Sequence, residues 1–258
     1  MNDHEIPMLT WIELREAFRQ PGCPICHLKR RVADRYIFRL LWENVNDVTT
    51  RVHLLRSLGF CPEHTWQLYH TEISQFGSGL GVSIIYENLV HRVMGGLRHF
   101  EAHLRAPQQP CTHWWQRGWT RLKAAFGWAG PARRPTSISP SEPCRVCVHC
   151  TDAEERYMHW LVMGCADPDF RESYGASDGL CLPHLRQALE RATADHPDEA
   201  RFLVGATEAR LERLSVALSE YARKQTWQYR HEEMTDDERD APRRASLFFG
   251  GPDGTAFT

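Results

Sequence analysis

The chain has 258 residues, of which 42% are hydrophobic and 25% are charged, and its formal net charge at pH 7 is −2. This balance gives no overall attraction to nucleic acid or to an anionic membrane. The sequence contains no run of 18 apolar residues, so it predicts no membrane-spanning helix. The N-terminal residues lack the basic and apolar regions of a signal peptide. Nine cysteines without an export signal predict a cytoplasmic protein whose reduced thiols bind metal rather than form disulfides.

Residues 1–105 predict a first metal-binding helical repeat. Apolar residues recur at helical spacing, and β-branched runs of alternating polarity are nearly absent. Asp47 is a candidate N-cap, Gly59 a helix terminator, and Pro62 suits the first turn of a helix. The predicted helices are, in chain order, 10–20, 27–44, 47–58, one that begins at Pro62, and 80–104.

A different kind of segment, residues 106–143, follows as a linker rich in proline at both ends. Inside it, residues 112–128 predict a basic amphipathic helix that contains four of the nine tryptophans. Such a helix can dock on a protein partner, lie on an anionic membrane surface, stack single-stranded bases, or pack on its own protein. We predict contact with a partner. The candidate residues are Trp114, Trp115, Trp119, Arg121 and Phe126.

Residues 144–230 predict a second metal-binding helical repeat. Its predicted elements are a helix over 151–163, a link that contains Pro168, a helix after Cys181, and a long helix over 198–228. The last part, residues 231–258, alternates charged and aromatic residues and predicts an ordered strap with a frayed tail. Two of its arginines, together with the last residue of the second repeat, could form an anion pocket or a solvated charged surface. The candidate pocket residues are Arg230, Arg243 and Arg244.

The same four-residue ligand signature occurs twice, as a CxxC motif followed by a CxxH motif. This spacing is typical of Cys3His metal sites, because each motif supplies half of a tetrahedron. We predict that each copy binds one ion through its own four residues, with each half-site at a helix N-terminus. The predicted ligands are Cys23, Cys26, Cys61 and His64 in the first copy, and Cys144, Cys147, Cys181 and His184 in the second.

The similarity between the two copies extends beyond the ligands, which predicts an internal repeat. Aligning the CxxC motifs also pairs Tyr36 with Tyr157. After a gap of one residue, aligning the CxxH motifs pairs Asp47 with Asp167. The predicted fold is therefore all-α, with two pseudo-symmetric helical lobes that are each organised around a Cys3His site and joined by the Trp-rich insert.

The identity of the metal stays open at this point. Two zinc ions suit closed sites of three sulfurs and one nitrogen. Two iron–sulfur clusters with one histidine ligand, or redox dithiols without metal, are the alternatives. Cys150 could also enter the second site, whereas Cys111 and Cys165 have no partner motif and are predicted to be packing residues.

The tandem signatures and a terminal segment together resemble a known family. The pieces are Cys23–Cys26, Ser57–His64, Cys144–Cys147, Ser177–His184, Arg223–Glu233 and Pro242–Gly250. They are similar to those of an uncharacterised bacterial family of unknown function. The resemblance implies a cytoplasmic, mainly helical protein with metal sites and implies no activity.

Motifs that would predict catalysis are scarce. The sequence has no phosphate-binding loop, no HExxH and no GxSxG, and four protein ligands leave no open coordination position at either metal. We therefore predict a zinc-binding helical scaffold that acts as a protein-binding or adaptor module. The alternatives are an iron–sulfur electron-transfer or redox-sensing protein and, less favoured, an enzyme that uses the metals directly.

Overall fold

The computed structural model describes residues 7–105 and 138–252, and within them it contains α-helices, one π-helical turn and no strand. This confirms the predicted all-α class. The first half contains α1 (Met8–Phe18), α2 (Pro24–Arg39), the π-helical turn (Leu40–Asn44), α3 (Val48–Ser57), α4 (Pro62–Phe76) and α5 (Leu80–Arg105). The second half contains α6 (Arg145–Gly164), α7 (Pro168–Gly175), α8 (Leu182–Asp195), α9 (Pro197–Lys224) and α10 (Asp236–Gly250).

Capping residues set the limits of the two short helices α3 and α7. Asp47 caps α3 by accepting a hydrogen bond from the backbone N–H of Thr50 at 2.7 Å, and Asp167 caps α7 through Phe170 at 2.9 Å. The predicted link at Pro168 is therefore wrong, because this residue begins a helix. Proline is tolerated there since the first-turn N–H has no partner within the helix.

The C-terminal segment is more regular than the predicted strap, because most of it forms α10. Thr235 and Glu238 form a reciprocal capping box at its start, an arrangement that satisfies two otherwise unpaired N–H groups. The buried Lys224 at the end of α9 donates to the carboxylate of Glu238 at 2.8 Å. Local hydrogen bonding of this kind favours a helix over an extended strap.

The chain divides into two compact units. The first consists of residues 1–37 and 146–258, and the second of residues 38–145. The N-terminal helices thus belong with the second predicted repeat, whereas the sequence-based division kept residues 1–105 together. The reason is a shared apolar core in the first unit. It includes Leu14, Phe18, Ile25, Leu28, Tyr157, Met158, Leu161, Phe170, Tyr174 and Leu203.

In the second unit, hydrogen bonds as well as apolar contacts fix the position of α5 against α3 and α4. The buried carboxylate of Glu72 on α4 accepts hydrogen bonds from the backbone N–H groups of Gly81 and Val82 at the start of α5. Arg51 on α3 donates to the carbonyl of Ile84 at 3.2 Å. These bonds satisfy α5 backbone groups, including N–H groups that a helix cannot satisfy by itself.

Several aromatic side chains of the second unit are exposed. Phe38 and Trp42 stack with ring centroids 6.3 Å apart, and both lie beside Phe76. Trp42 is 68% exposed and Trp66 is 59% exposed. None of the described helices contains a stretch that is long and apolar enough to cross a bilayer.

Candidate metal centres

The first group of potential ligands lies within the first unit and consists of Cys23, Cys26, Cys181 and His184. Their ligand atoms all lie within 4.8 Å of one another. The His184 Nδ1 atom is 3.3 Å from the Sγ atoms of Cys23 and Cys26 and 3.1 Å from that of Cys181. A tetrahedral ion with bonds of about 2.3 Å to sulfur and about 2.0–2.1 Å to nitrogen separates its ligands by about 3.5–3.8 Å. The group is therefore close to the size that a single ion needs.

The second group contains Cys61, His64 and Cys144, which come together within the second unit, and the CxxC motif that includes Cys144 supplies Cys147 as the fourth candidate ligand. The His64 Nδ1 atom is 3.0 Å from the Sγ atom of Cys61 and 3.7 Å from that of Cys144. Both groups offer three thiols and one imidazole, which are the soft donors that zinc and related metals prefer. All eight predicted ligands are thus assembled into two groups that can hold a metal ion.

The predicted assignment of ligands to sites is wrong. The first CxxC motif, Cys23 and Cys26, meets the CxxH motif of the second copy, and the second CxxC motif meets the CxxH motif of the first. The predicted lobes each required a site made from the residues of one copy. Among the described residues, neither copy has such a site. The number of groups and their composition are as predicted.

Helix length gives a physical reason for this exchange. From Pro24 to Asn44 the chain is helical without a break, which carries it about 30 Å from the first CxxC motif. The next helix, α3, has 10 residues, so even a direct return would recover only about 15 Å. Leu58 and Gly59 then adopt positive φ angles of 53° and 91° and turn the chain instead of extending it. The second copy has the same imbalance, because α6 has 20 residues and α7 has 8.

Each ligand pair sits at the start of a helix, as the sequence predicted. Cys61 and Cys181 are the N-caps of α4 and α8, and the paired histidines follow three positions later. The CxxC motifs have the same arrangement at the starts of α2 and α6. An N-cap side chain and the side chain three positions later face each other, as in a capping box. The helix dipole also stabilises the negative thiolate that a metal requires.

The cysteines and the histidine of the first group shift one another's pKa. Burial by itself lowers the pKa of His184, but the sulfur atoms of Cys181 and Cys23 raise it to about 10. Hydrogen bonds from Cys23 and Cys26 also hold the pKa of Cys181 well below its usual value. The sulfur atoms therefore stabilise positive charge at the point where the imidazole is held, and a metal ion supplies such a charge.

Glu154, which no sequence motif indicated, contacts and orients His184. The carboxylate of Glu154 on α6 lies 3.2 Å from the Nε2 atom of His184, opposite the Nδ1 atom that faces the cysteines. Its other oxygen lies 2.7 Å from the Lys29 ammonium. Burial by itself raises the pKa of Glu154, but the combined effects of Lys29, Gln187 and His184 outweigh burial and lower this pKa below its ordinary value, which keeps the carboxylate ionised. Metal-binding histidines characteristically donate their second N–H to such a group.

Comparison of the two copies could not have found Glu154. When the two CxxC motifs are aligned, Glu154 falls on Ala33 of the first copy, so the carboxylate has no counterpart there. Only its contact with His184 distinguishes it from the exposed Glu155 beside it. A carboxylate that orients a ligand has no fixed spacing from that ligand in the sequence.

The remaining cysteines have different outcomes. Cys150 is buried and belongs to neither group of ligands in the described part of the chain; its thiol faces the carbonyl of Lys29 at 3.7 Å. Cys165 is fully buried in the core of the first unit, which confirms its prediction as a packing residue. Cys111 and the partner-binding candidates Trp114, Trp115, Trp119, Arg121 and Phe126 lie outside the described residues.

The chain belongs to the DUF6062 family, a family of unknown function whose sequence profile matches residues 7–254. It is also similar to a protein of Caldicellulosiruptor sp. (strain Rt8B.4) described as an uncharacterized 23.9 kDa protein in the xynA 3' region. The two sequences are 25% identical over 242 residues, which cover 92% of this chain and 98% of the relative. Among solved structures there is no significant match.

Metal content of double variants tests the exchanged assignment. Cys23→Ser with Cys181→Ser removes two ligands from one group, so we expect the purified protein to lose one ion and retain the other. The matched variant, Cys23→Ser with Cys61→Ser, damages both groups and should lose both ions. Elemental analysis distinguishes the outcomes, and the opposite pattern would restore the assignment of one site to each copy.

Replacement of Glu154 by glutamine tests its role at His184. Loss of the carboxylate charge makes the imidazole a weaker ligand, so the first group should bind metal about 10- to 100-fold more weakly. Competition with a coloured chelator measures this affinity. Glu155→Gln, at the exposed neighbouring position, is the control and should bind as the unmodified protein does. Equal affinities for the two variants would exclude an orienting role for Glu154.

Proposed function

We propose that this DUF6062 protein is a zinc-binding helical scaffold that acts in the cytoplasm as an adaptor for a protein partner. The observation that carries the proposal is the assembly of two complete sets of three cysteines and one histidine, all at helix N-termini. Each set supplies four protein ligands, the number that a structural zinc ion takes. A set that is complete without water supports a structural role over a catalytic one.

The spacing of the sulfur atoms supports one ion for each set. The Sγ atoms of Cys26 and Cys181 are 3.7 Å apart, close to the edge of about 3.8 Å expected for a zinc tetrahedron. In an iron–sulfur cluster the protein ligands are spread over two or more iron atoms, so at least some of the four are held further apart than on a single ion. An iron–sulfur redox protein is therefore the less favoured alternative.

The connectivity of the first set supports a role in folding. An ion there would join Cys23 and Cys26 to Cys181 and His184, residues that are distant along the chain but belong to one compact unit. Joining distant segments removes conformational freedom from the unfolded chain. Structural zinc contributes on the order of 10–16 kcal/mol in small zinc-binding peptides, comparable to the stability of a whole domain.

We also infer that the exchanged pairing reflects an internal duplication. Asp47 and Asp167 cap equivalent helices, and Gly59 and Gly179 both adopt positive φ before the CxxH motifs. If each copy cannot close its own site, two copies in one chain can close two sites by exchanging half-sites. Domain-swapped dimers exchange identical elements between two chains in the same way.

The adaptor role draws its support from aromatic residues available for contact. The second unit exposes Trp42 and Phe38, and large aromatic side chains are the residue type that dominates binding hot spots. The Trp-rich segment adds arginines next to tryptophans in the sequence. We assign the partner contact to that segment, with a membrane surface as the alternative.

Purification without oxygen followed by elemental analysis tests the metal. We expect two zinc ions for each chain and a colourless protein, whereas iron–sulfur clusters would make it brown. Removal of the metal by a chelator should then abolish cooperative thermal unfolding, because ion binding contributes to folding. Retention of the full helical circular dichroism and melting temperature after metal removal would contradict a structural role.

Paired tryptophan variants test the adaptor role. We expect Trp115→Ala with Trp119→Ala to abolish association with the partner or vesicles while leaving the melting temperature unchanged. Trp227→Ala, at an exposed site in the first unit, is the control and should retain the association. If the tryptophans instead form part of a core, the double variant should lose about 3–5 kcal/mol for each buried side chain.

A further inference from the structure

A cavity of about 260 Å³ lies in the first unit beside the first group of ligands. Cys23 and Cys181 form part of its wall, and the turn before α8 with helices α9 and α10 forms the rest. Its volume is slightly below the range of about 300–1,000 Å³ that holds drug-sized ligands. The space therefore suits a molecule of about the size of one ring or a short chain.

Positive charge predominates in the lining, which includes Arg210, Arg213, Arg244 and a single carboxylate, Asp178. Asp178 is already engaged, because its Oδ2 atom accepts a hydrogen bond from the backbone N–H of Gly22 at 2.7 Å. Arg210 is engaged too, since it donates to the carbonyls of Tyr174 and Ser177. It contributes a fixed positive charge rather than free donors.

The other two arginines retain hydrogen-bonding capacity. Arg213 on α9 is exposed and makes no ion pair or hydrogen bond with any residue in the described part of the chain. Arg244 on α10 pairs with Asp237 at 2.7 Å through Nη2. Its buried Nε atom lies 3.8 Å from the carboxylate of Asp240, an ion-pair distance that is too long for a hydrogen bond, so Nε has no hydrogen-bond partner. A buried donor without a partner is costly, and an anion in the cavity would satisfy it.

The remaining wall is apolar. Leu214 is buried on α9, and Leu247 and Phe248 are half-buried on α10. An inorganic anion would leave these side chains without contact, whereas an organic anion can cover them with its apolar part. The lining thus combines an anion-binding side with an apolar side within one cavity.

We propose that this cavity binds a small organic anion, a carboxylate or a phosphate monoester with an apolar part of about one ring. Its charged group lies against Arg213 and Arg244, and its apolar part lies against Leu214 and Phe248. Guanidinium groups suit both head groups because they donate paired hydrogen bonds to planar carboxylate and to phosphate. This ligand site goes beyond the scaffold role and does not depend on which metal the cysteines hold.

Calorimetric titration of the purified, metal-loaded full chain tests the site with phenyl phosphate and hexanoate as probes. At least one probe should bind at millimolar concentration or below and raise the melting temperature. Inorganic phosphate lacks the apolar part and 1-hexanol lacks the charged group, so both should bind more weakly than the probes. Absence of binding by both probes, or equal binding by their truncated counterparts, would overturn the proposal.

Arginine variants locate the binding on the protein. Arg213→Gln and Arg244→Gln should each weaken the binding of the better probe by about tenfold, because each removes charge-assisted hydrogen bonds. Arg239→Gln, on α10 but outside the cavity lining, is the control and should leave binding unchanged. Unchanged binding in Arg213→Gln, which breaks no observed contact of the folded chain, would refute the site.

The metal content of the same samples separates this result from the scaffold proposal. Arg213→Gln should retain both ions while it loses affinity for the probe. A protein that holds two zinc ions but binds neither probe would refute the cavity proposal alone. A protein that binds a probe but holds no zinc would refute the zinc scaffold alone.

Discussion

The convergence of three thiols and one imidazole on a single point is the constraint on which the first unit depends. Cys23, Cys26, Cys181 and His184 come from the starts of two helices that are far apart along the chain. Their positions fix where α2 and α8 begin relative to one another. The apolar residues of the shared core pack between helices that are held in this arrangement. Because each pair occupies the N-cap and the third position of its helix, folding of the helix also shapes the half-site.

The exchange of half-sites follows from the stiffness of helices. A helix of about 30 Å moves the chain away from its first motif by a fixed amount, and the short helix that follows cannot recover that distance. Each CxxC motif is therefore paired with a CxxH motif from the other copy. The result ties the N-terminal helices to the second half of the chain, which is why the first unit is discontinuous.

Charged groups lie on two sides of the first set of ligands. Glu154 lies against the far side of His184 and pairs with Lys29, so that the imidazole orientation depends on a partly exposed ion pair. On another side, the cavity with Arg213 and Arg244 adjoins Cys23 and Cys181. The lining of that cavity carries the positive charges of Arg210, Arg213 and Arg244, which are opposite in sign to the negative charge of a centre with three thiolates.

Local sequence patterns were enough to predict the helical class, the N-cap at Asp47, and the eight residues that form the two groups of potential metal ligands. These features depend on local spacing, and helix periodicity, capping chemistry and the bite of a CxxC motif act over a few residues. The folded structure was needed to show which motifs meet, that Glu154 faces His184, and that a cavity lies beside Cys181. Those relations join residues whose separation along the chain is unrelated to their distance in space. They are set by helix lengths and core packing rather than by any local pattern.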